Sequence, residues 1–186
     1  MELVQLPNDR QSAIRTRLKR NVASVQEYYH SNGLPVNSAL VLGGSTCSVL
    51  HYLAAHGHTQ ELEHFCGLLP HDYSLLAAIN VQSSERRTPL HLAIAANHLD
   101  CIKVLVRHGA NIWQQTRVDN GFKQLMAAVD LAHVSGNFQV ESYLRKVELQ
   151  QKAVILTARK KLLLLRIWET QHSLPLSVIR HALPFF

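Results

Sequence analysis

The 186-residue sequence predicts an all-α fold: a solenoid of about three stacked helix pairs, with an N-terminal capping helix and a C-terminal helical extension. Three observations carry that expectation. The stretch from Thr88 to Asn111 reads as helix, break, helix and stop. Its opening recurs at Ser48–His58 and again at Ala127–Asn137. Apolar residues at three- and four-residue spacing continue on both sides of these copies, over Asp9–Tyr29 and Val154–Trp168, as amphipathic helices require.

The central stretch is the most explicit. Thr88 is a good N-cap, Pro89 occupies the first helical position where a missing N–H costs nothing, and Leu90, Ala93 and Ile94 form one apolar stripe. Asn97 and His98 break the helix, because Asn tolerates the left-handed conformation. A second helix runs through Cys101, Ile102, Val104 and Leu105, and Gly109 stands where a C-terminal cap needs positive φ. Thr88-Pro89-Leu90-His91-Leu92-Ala93 resembles the T-P-L-H-x-A signature of the ankyrin repeat. The resemblance implies a stack of helix pairs with projecting fingers, a concave face that binds other proteins, and a histidine that hydrogen-bonds near the start of the first helix.

Taken in order, Asp9–Tyr29 is expected to be one helix burying Ile14, Leu18, Val22 and Val25 and capping the array, in a region spanning 1–36. Asn32-Gly33-Leu34-Pro35 ends it. The repeats occupy 37–146. In the first copy Val49 replaces the proline and Leu53 the small alanine, Gly57-His58 is the break, and a second helix from about Gln60 to Leu68 buries Leu62 and Phe65. Pro70–Asn80 lengthens the spacing from His51 to His91 beyond the family's period of about 33 residues, and a short extra helix accounts for it. Asn120-Gly121 is a two-residue hairpin turn, consistent with a finger. The third copy has Asp130 in place of the histidine, Gly136-Asn137 at the break, a second helix through Val140, Tyr143 and Leu144, and extra residues Phe122–Met126 before it.

The region 147–186 follows. Val154–Trp168 is an apolar and basic helix with two readings: a cover for the end of the last repeat, or a helix lying on a membrane surface. Ser173 is an N-cap for a tail, 173–186, in which Leu174, Pro175, Val178, Ile179, Leu183 and Phe185 resemble the opening of an F-box, with Ser177 and Pro184 as departures. Ankyrin proteins of poxviruses and intracellular bacteria carry such truncated F-box-like segments. That resemblance implies recruitment of a ubiquitin-ligase subunit and a host-directed effector; the same residues also resemble the Leu-Pro end of a SOCS box. A helix docking on the chain's own body is the alternative.

Composition narrows the function classes. The net charge of +6 is concentrated at Arg15–Arg20 and Arg159–Arg166, as solvated helix faces or as a surface for an acidic partner or membrane. No nucleic-acid partner is expected. Cys47, Cys66 and Cys101 are odd in number and lack paired spacing, which points to reduced thiols in a cytoplasmic protein. Neither a secretory signal nor the roughly 20 apolar residues of a membrane span is visible. His51, His56, His58 and His64 invite a metal reading, but the spacing matches no zinc pattern, and no nucleophile or phosphate-loop motif is present. No enzyme activity, cofactor or metal is therefore expected.

Recognition remains. By the family's pattern the partner-binding positions are the residues before the repeat start, those before the break, and the finger tips. These are Cys47, Ala55 and His56 in the first copy, Glu85, Arg86, Arg87, Ala95 and Ala96 in the second, and Val134 and Ser135 in the third. Arg86 and Arg87 stand out because arginine pairs bidentately with carboxylates; solvated finger residues are the plainer reading.

Overall fold

Each helix pair is built from short-range signals. In the computed structural model, which describes residues 3–42, 44–67, 73–118 and 124–172, Thr88 accepts the backbone N–H of His91 and Pro89 opens the helix as expected. The elements run α1 (Asn8–Arg20), α2 (Ala23–Ser31), β1 (Leu40–Leu42), β2 (Ser45–Cys47), α3 (Val49–His56), α4 (Thr59–Gly67), α5 (Tyr73–Ile79), α6 (Pro89–Ala95), α7 (Leu99–Arg107), β3 (Thr116–Val118), β4 (Gln124–Met126), α8 (Ala128–Val134) and α9 (Phe138–His172). The chain divides into two units, Met1–Leu144 and Arg145–Phe186.

In the first unit the leading helices of the repeats pack in a row, α3 on α6 and α6 on α8, while α4 packs on α7 in a second row. Leu50, Leu53, Leu90 and Ile94 of the first row and Leu62, Phe65, Ile102 and Leu105 of the second are fully buried. Each leading helix stops at one left-handed residue: Gly57 at φ 74°, Asn97 at φ 58° and Gly136 at φ 69°. The next backbone N–H then closes back on the helix, from His58 to Leu53 O at 3.0 Å, His98 to Ala93 O at 2.9 Å and Asn137 to Ala132 O at 3.0 Å. Asn97 holds the conformation glycine takes in the other two copies.

Gly109 ends α7 with φ 92°, and a Cβ placed on it would lie 2.5 Å from Leu76 Cδ2. Leu76 is partly exposed and can swing aside, so the backbone conformation dominates the cost. Gly109→Val should destabilise the fold by about 2 kcal/mol, because a β-branched residue does not hold positive φ without strain. Thermal unfolding checks this: the midpoint should fall by several degrees, and an unchanged midpoint would remove the cap assignment.

The N-terminal region departs from expectation. Two helices, α1 and α2, stand where one was predicted, because Asn21 is extended at φ −155° and its side chain accepts the N–H of Ala23 at 3.1 Å. A local bond of this kind competes with the helical one. Ile14, Leu18 and Val25 are buried as expected, whereas Val22, at the break, is only half-buried. The short helix expected in the insertion is α5. Asn80, just beyond it, donates to Leu76 O at 2.8 Å and Gly109 O at 3.2 Å and accepts the Asn111 N–H at 2.7 Å, tying the insertion to the end of α7.

The last helix is a second correction. The second helix of the third copy and the basic helix at Val154–Trp168 are one element, α9, since no Gly or Pro interrupts Phe138–His172 and Leu, Lys, Arg, Glu and Gln all favour helix. Val140 and Leu144 are buried. Within the second unit Lys152 pairs with Glu148 at 2.6 Å. The Asn120-Gly121 turn lies outside the described residues, although β3 and β4 on either side pair antiparallel as a finger would. Ser173 and the whole tail, with Leu174, Pro175, Val178, Ile179, Leu183 and Phe185, also lie outside them.

Candidate partner-binding surface

Three connections precede α3, α6 and α8. The first is the β1–β2 hairpin, with Leu40 opposite Cys47 and Leu42 opposite Ser45, and the third is β3–β4. The second has no strands: Ser83 donates to Arg87 O at 2.8 Å and Arg86 to Ser83 O at 2.9 Å, which closes a tight turn. Arg86 at its tip has φ 59°.

These fingers are laced sideways. Ser84 donates its N–H to Thr46 O at 2.9 Å, Thr46 returns one to Ser84 Oγ at 3.0 Å, and Ser45 Oγ donates to the Glu85 carboxylate. Gln82 reaches Arg86 O at 3.2 Å and, across to the third finger, Gln115 O at 3.4 Å. A polar groove of about 500 Å³ lies here, lined by Gln5, Thr46, Gln82, Ser84 and Gln114 among others.

Two histidines anchor the fingers to the helices. His51 Nδ1 accepts the Ser48 N–H at 3.1 Å, with Ser48 Oγ at 2.8 Å, and its Nε2–H donates to Arg87 O at 2.9 Å. His91 repeats the arrangement with Thr88 N–H at 3.2 Å, Thr88 Oγ1 at 2.7 Å and Gln114 O at 3.0 Å. A carbonyl only accepts, so the outer nitrogen carries the proton and the ring is neutral. Burial pushes both imidazoles down from 6.5 to about 4. The histidine therefore does more than cap its own helix, as the resemblance implied: it holds the following finger. In the third copy Asp130 is exposed and α8 has no side-chain cap, so the relay stops there.

This scaffold sets the predicted residues apart. His56, Ala96 and Ser135 are exposed and each immediately precedes the left-handed residue of its repeat, with Ala95 and Val134, also exposed, one residue earlier. Because α3, α6 and α8 pack side by side, these positions form a row. The His56 ring stacks on Tyr52 at 4.1 Å and 21°, and its Nδ1 lies 2.9 Å from Tyr52 O. Glu85 and Arg86 are exposed. Arg87 is half-buried, its guanidinium 3.7 Å from the Glu85 carboxylate and its carbonyl taken by His51, so it belongs partly to the framework.

Sequence reasoning passed over Trp113, whose side chain is 42% exposed. It sits in a turn made by Asn111, which accepts the Trp113 N–H at 3.0 Å. Val41 and Leu125, on the outer faces of the two hairpins, are exposed as well. The available signal was an Asn-x-Trp turn outside any helical stripe, since exposed aromatics are favoured anchors for partners.

Burial keeps the three cysteine thiols in their protonated form. Cys47, Cys66 and Cys101 are buried, and burial pushes the first two thiols up to about 11 and about 12 and raises the third. Among the described residues no three His, Cys, Asp or Glu side chains stand together as a metal site, and both ring nitrogens of His51 are already engaged.

Comparison with known proteins agrees with this architecture. Ankyrin repeat domain-containing protein 13B of Mus musculus and that of Homo sapiens are each 33% identical to this chain over 118 residues. The matched region is 62% of this chain, and it spans 18% of the length of those relatives. A chain in the crystal structure of the yeast ribosomal protein Rps3 in complex with its chaperone Yar1 has the same fold, with TM-score 0.63 and 23% identity over 76% of this chain and 95% of that one. The family model for ankyrin repeats, in three copies, matches residues 19–116 and 50–149, starting within α1. Together with the repeated left-handed breaks and the finger-holding histidines, that match shows that the chain belongs to the ankyrin-repeat family, an architecture of protein–protein interaction.

Proposed function

We propose that this chain is a recognition scaffold that holds a partner protein against the finger edge and the exposed ends of α3, α6 and α8. One observation carries the reading. Hydrogen bonds from His51, His91, Ser84 and Gln82 bind the fingers to one another and to the helices, while Arg86, His56, Ala95, Ala96, Val134 and Ser135 stay exposed at successive repeats. A prearranged surface loses little conformational entropy on binding. Arg86 and Trp113 are the anchors expected to matter most, and the arginine favours an acidic patch on the partner.

Arg86→Gly tests this without damage to the fold, because glycine suits φ 59° better than arginine does. Combined with Ala95→Glu, an exposed change, it should leave the unfolding midpoint unchanged or higher. Proteins retained from a lysate by the wild-type chain should be released from this variant, with a loss of about tenfold or more in affinity for any one of them, as for a hot spot. An unchanged set at unchanged affinity would move the site elsewhere.

A finer reading makes the chain an adaptor in the cytoplasm that joins the partner to a ubiquitin-ligase subunit. It is supported by the F-box-like residues Leu174, Pro175, Val178, Ile179, Leu183 and Phe185. Capture with the full chain and with a chain ending at His172 separates the two: the adaptor reading requires loss of ligase components alone.

A further inference from the structure

In the second unit, Val154, Ile155, Leu156, Leu162, Leu163 and Leu164 of α9 are between 46% and 69% exposed. Successive helical residues are about 100° apart, so Leu162, Leu163 and Leu164 together cover roughly 200° of the circumference. An apolar stripe that seats in a protein groove is about half as wide. The same stretch carries five basic residues, Lys152, Arg159, Lys160, Lys161 and Arg166, and no acidic one between Lys152 and Arg166. Arg159, Lys160 and Lys161 are exposed.

We propose that this segment of α9 lies on an anionic lipid surface. Three consecutive cations match the charge of phosphate and carboxylate headgroups, and their long aliphatic stems let leucines on either side sink in while the charges stay at headgroup level. That accommodates an apolar arc interrupted by lysine and arginine, which a single protein groove does not. A second copy of the chain fits poorly, because pairing the segment with itself in register sets Arg159, Lys160 and Lys161 against like charges with no acid nearby to offset them. The helix would lie along the surface, for no described helix is long and apolar enough to cross a membrane. The segment contains neither Arg86 nor Ala95, so the Arg86→Gly, Ala95→Glu variant should bind lipid normally.

The test is flotation of the full chain with phosphatidylcholine vesicles, with and without phosphatidylserine, across a salt series. The chain should float with the anionic vesicles, weaken as salt rises, and ignore the neutral ones. Arg159→Gln, Lys160→Gln and Lys161→Gln together should lower the partition coefficient about a hundredfold, given a contribution of about fivefold per cation. Leu162→Gln with Leu163→Gln and Leu164→Gln should abolish it at unchanged helix content. Equal binding to both vesicles, binding indifferent to the charge variant, or no binding by the intact chain would overturn the proposal. Concentration-dependent dimerisation lost in the leucine variant, without flotation, would overturn it in favour of a second copy.

Discussion

Acidification from pH 6.5 to about 4 should cost this fold on the order of several kcal/mol of stability. His51 and His91 are held neutral in the folded chain, where burial is the main cause, reinforced at His51 by His91 and at His91 by Arg87, while their hydrogen bonds to Arg87 and Gln114 oppose the shift. In the unfolded chain both titrate near 6.5. Between these limits the unfolded state binds more protons, so stability increases with pH: the contribution is complete above 6.5 and is lost as pH falls toward 4. Each ring accounts for up to about 3 kcal/mol, and the two together for a large part of what a small domain has. Denaturant unfolding across this range is the measurement, with His51→Gln and His91→Gln as the control. The double variant should be less stable at pH 7 yet much flatter in its pH profile. A wild-type profile flat between pH 7 and 4 would contradict the neutral, finger-holding role. Because each ring bridges a helix start to the following finger, the fingers should be the first region to lose hydrogen-exchange protection.

Phe65→Ala should cost about 3–5 kcal/mol, the range for emptying a large aromatic site in a core. Phe65 is fully buried on α4 and meets Tyr29 of α2 edge to face, with ring centroids 5.4 Å apart and planes at 89°. Gln26 of α2 adds one bond to Glu61 O at 3.3 Å. Because Phe65 on α4 packs directly against Tyr29 of α2, the substitution acts on the core and on the seat of the N-terminal helices at once. Urea unfolding gives the cost, and hydrogen exchange should show α1 and α2 losing protection beyond that of the rest of the unit. A cost below about 1 kcal/mol would mean that the surrounding side chains close the cavity and that α2 is held by other contacts.

The repeat itself was legible from residues close together in the chain. Thr88 caps its helix by accepting the N–H three residues on, Pro89 starts it, and Asn97 and Gly109 take the left-handed conformation their positions required. Leu62 and Phe65 are buried where apolar periodicity placed them. Periodicity was a weaker guide to where helices end. It ran through Asn21, whose side chain breaks the helix, and it left two helices at 138–172 where nothing interrupts one.

The sequence by itself determined the helix pairs, their caps and their breaks, because those rest on hydrogen bonds and torsion preferences spanning a few residues. Only the tertiary structure decided what the surface is made of. It joined His51 to Arg87 and Gln82 to Gln115, drew Arg87 partly into the framework, and left Arg86 and Trp113 outside. These outcomes depend on carbonyls and side chains brought together from distant stretches of the chain. Residue type fixes what each group can bond to, but packing chooses its partner.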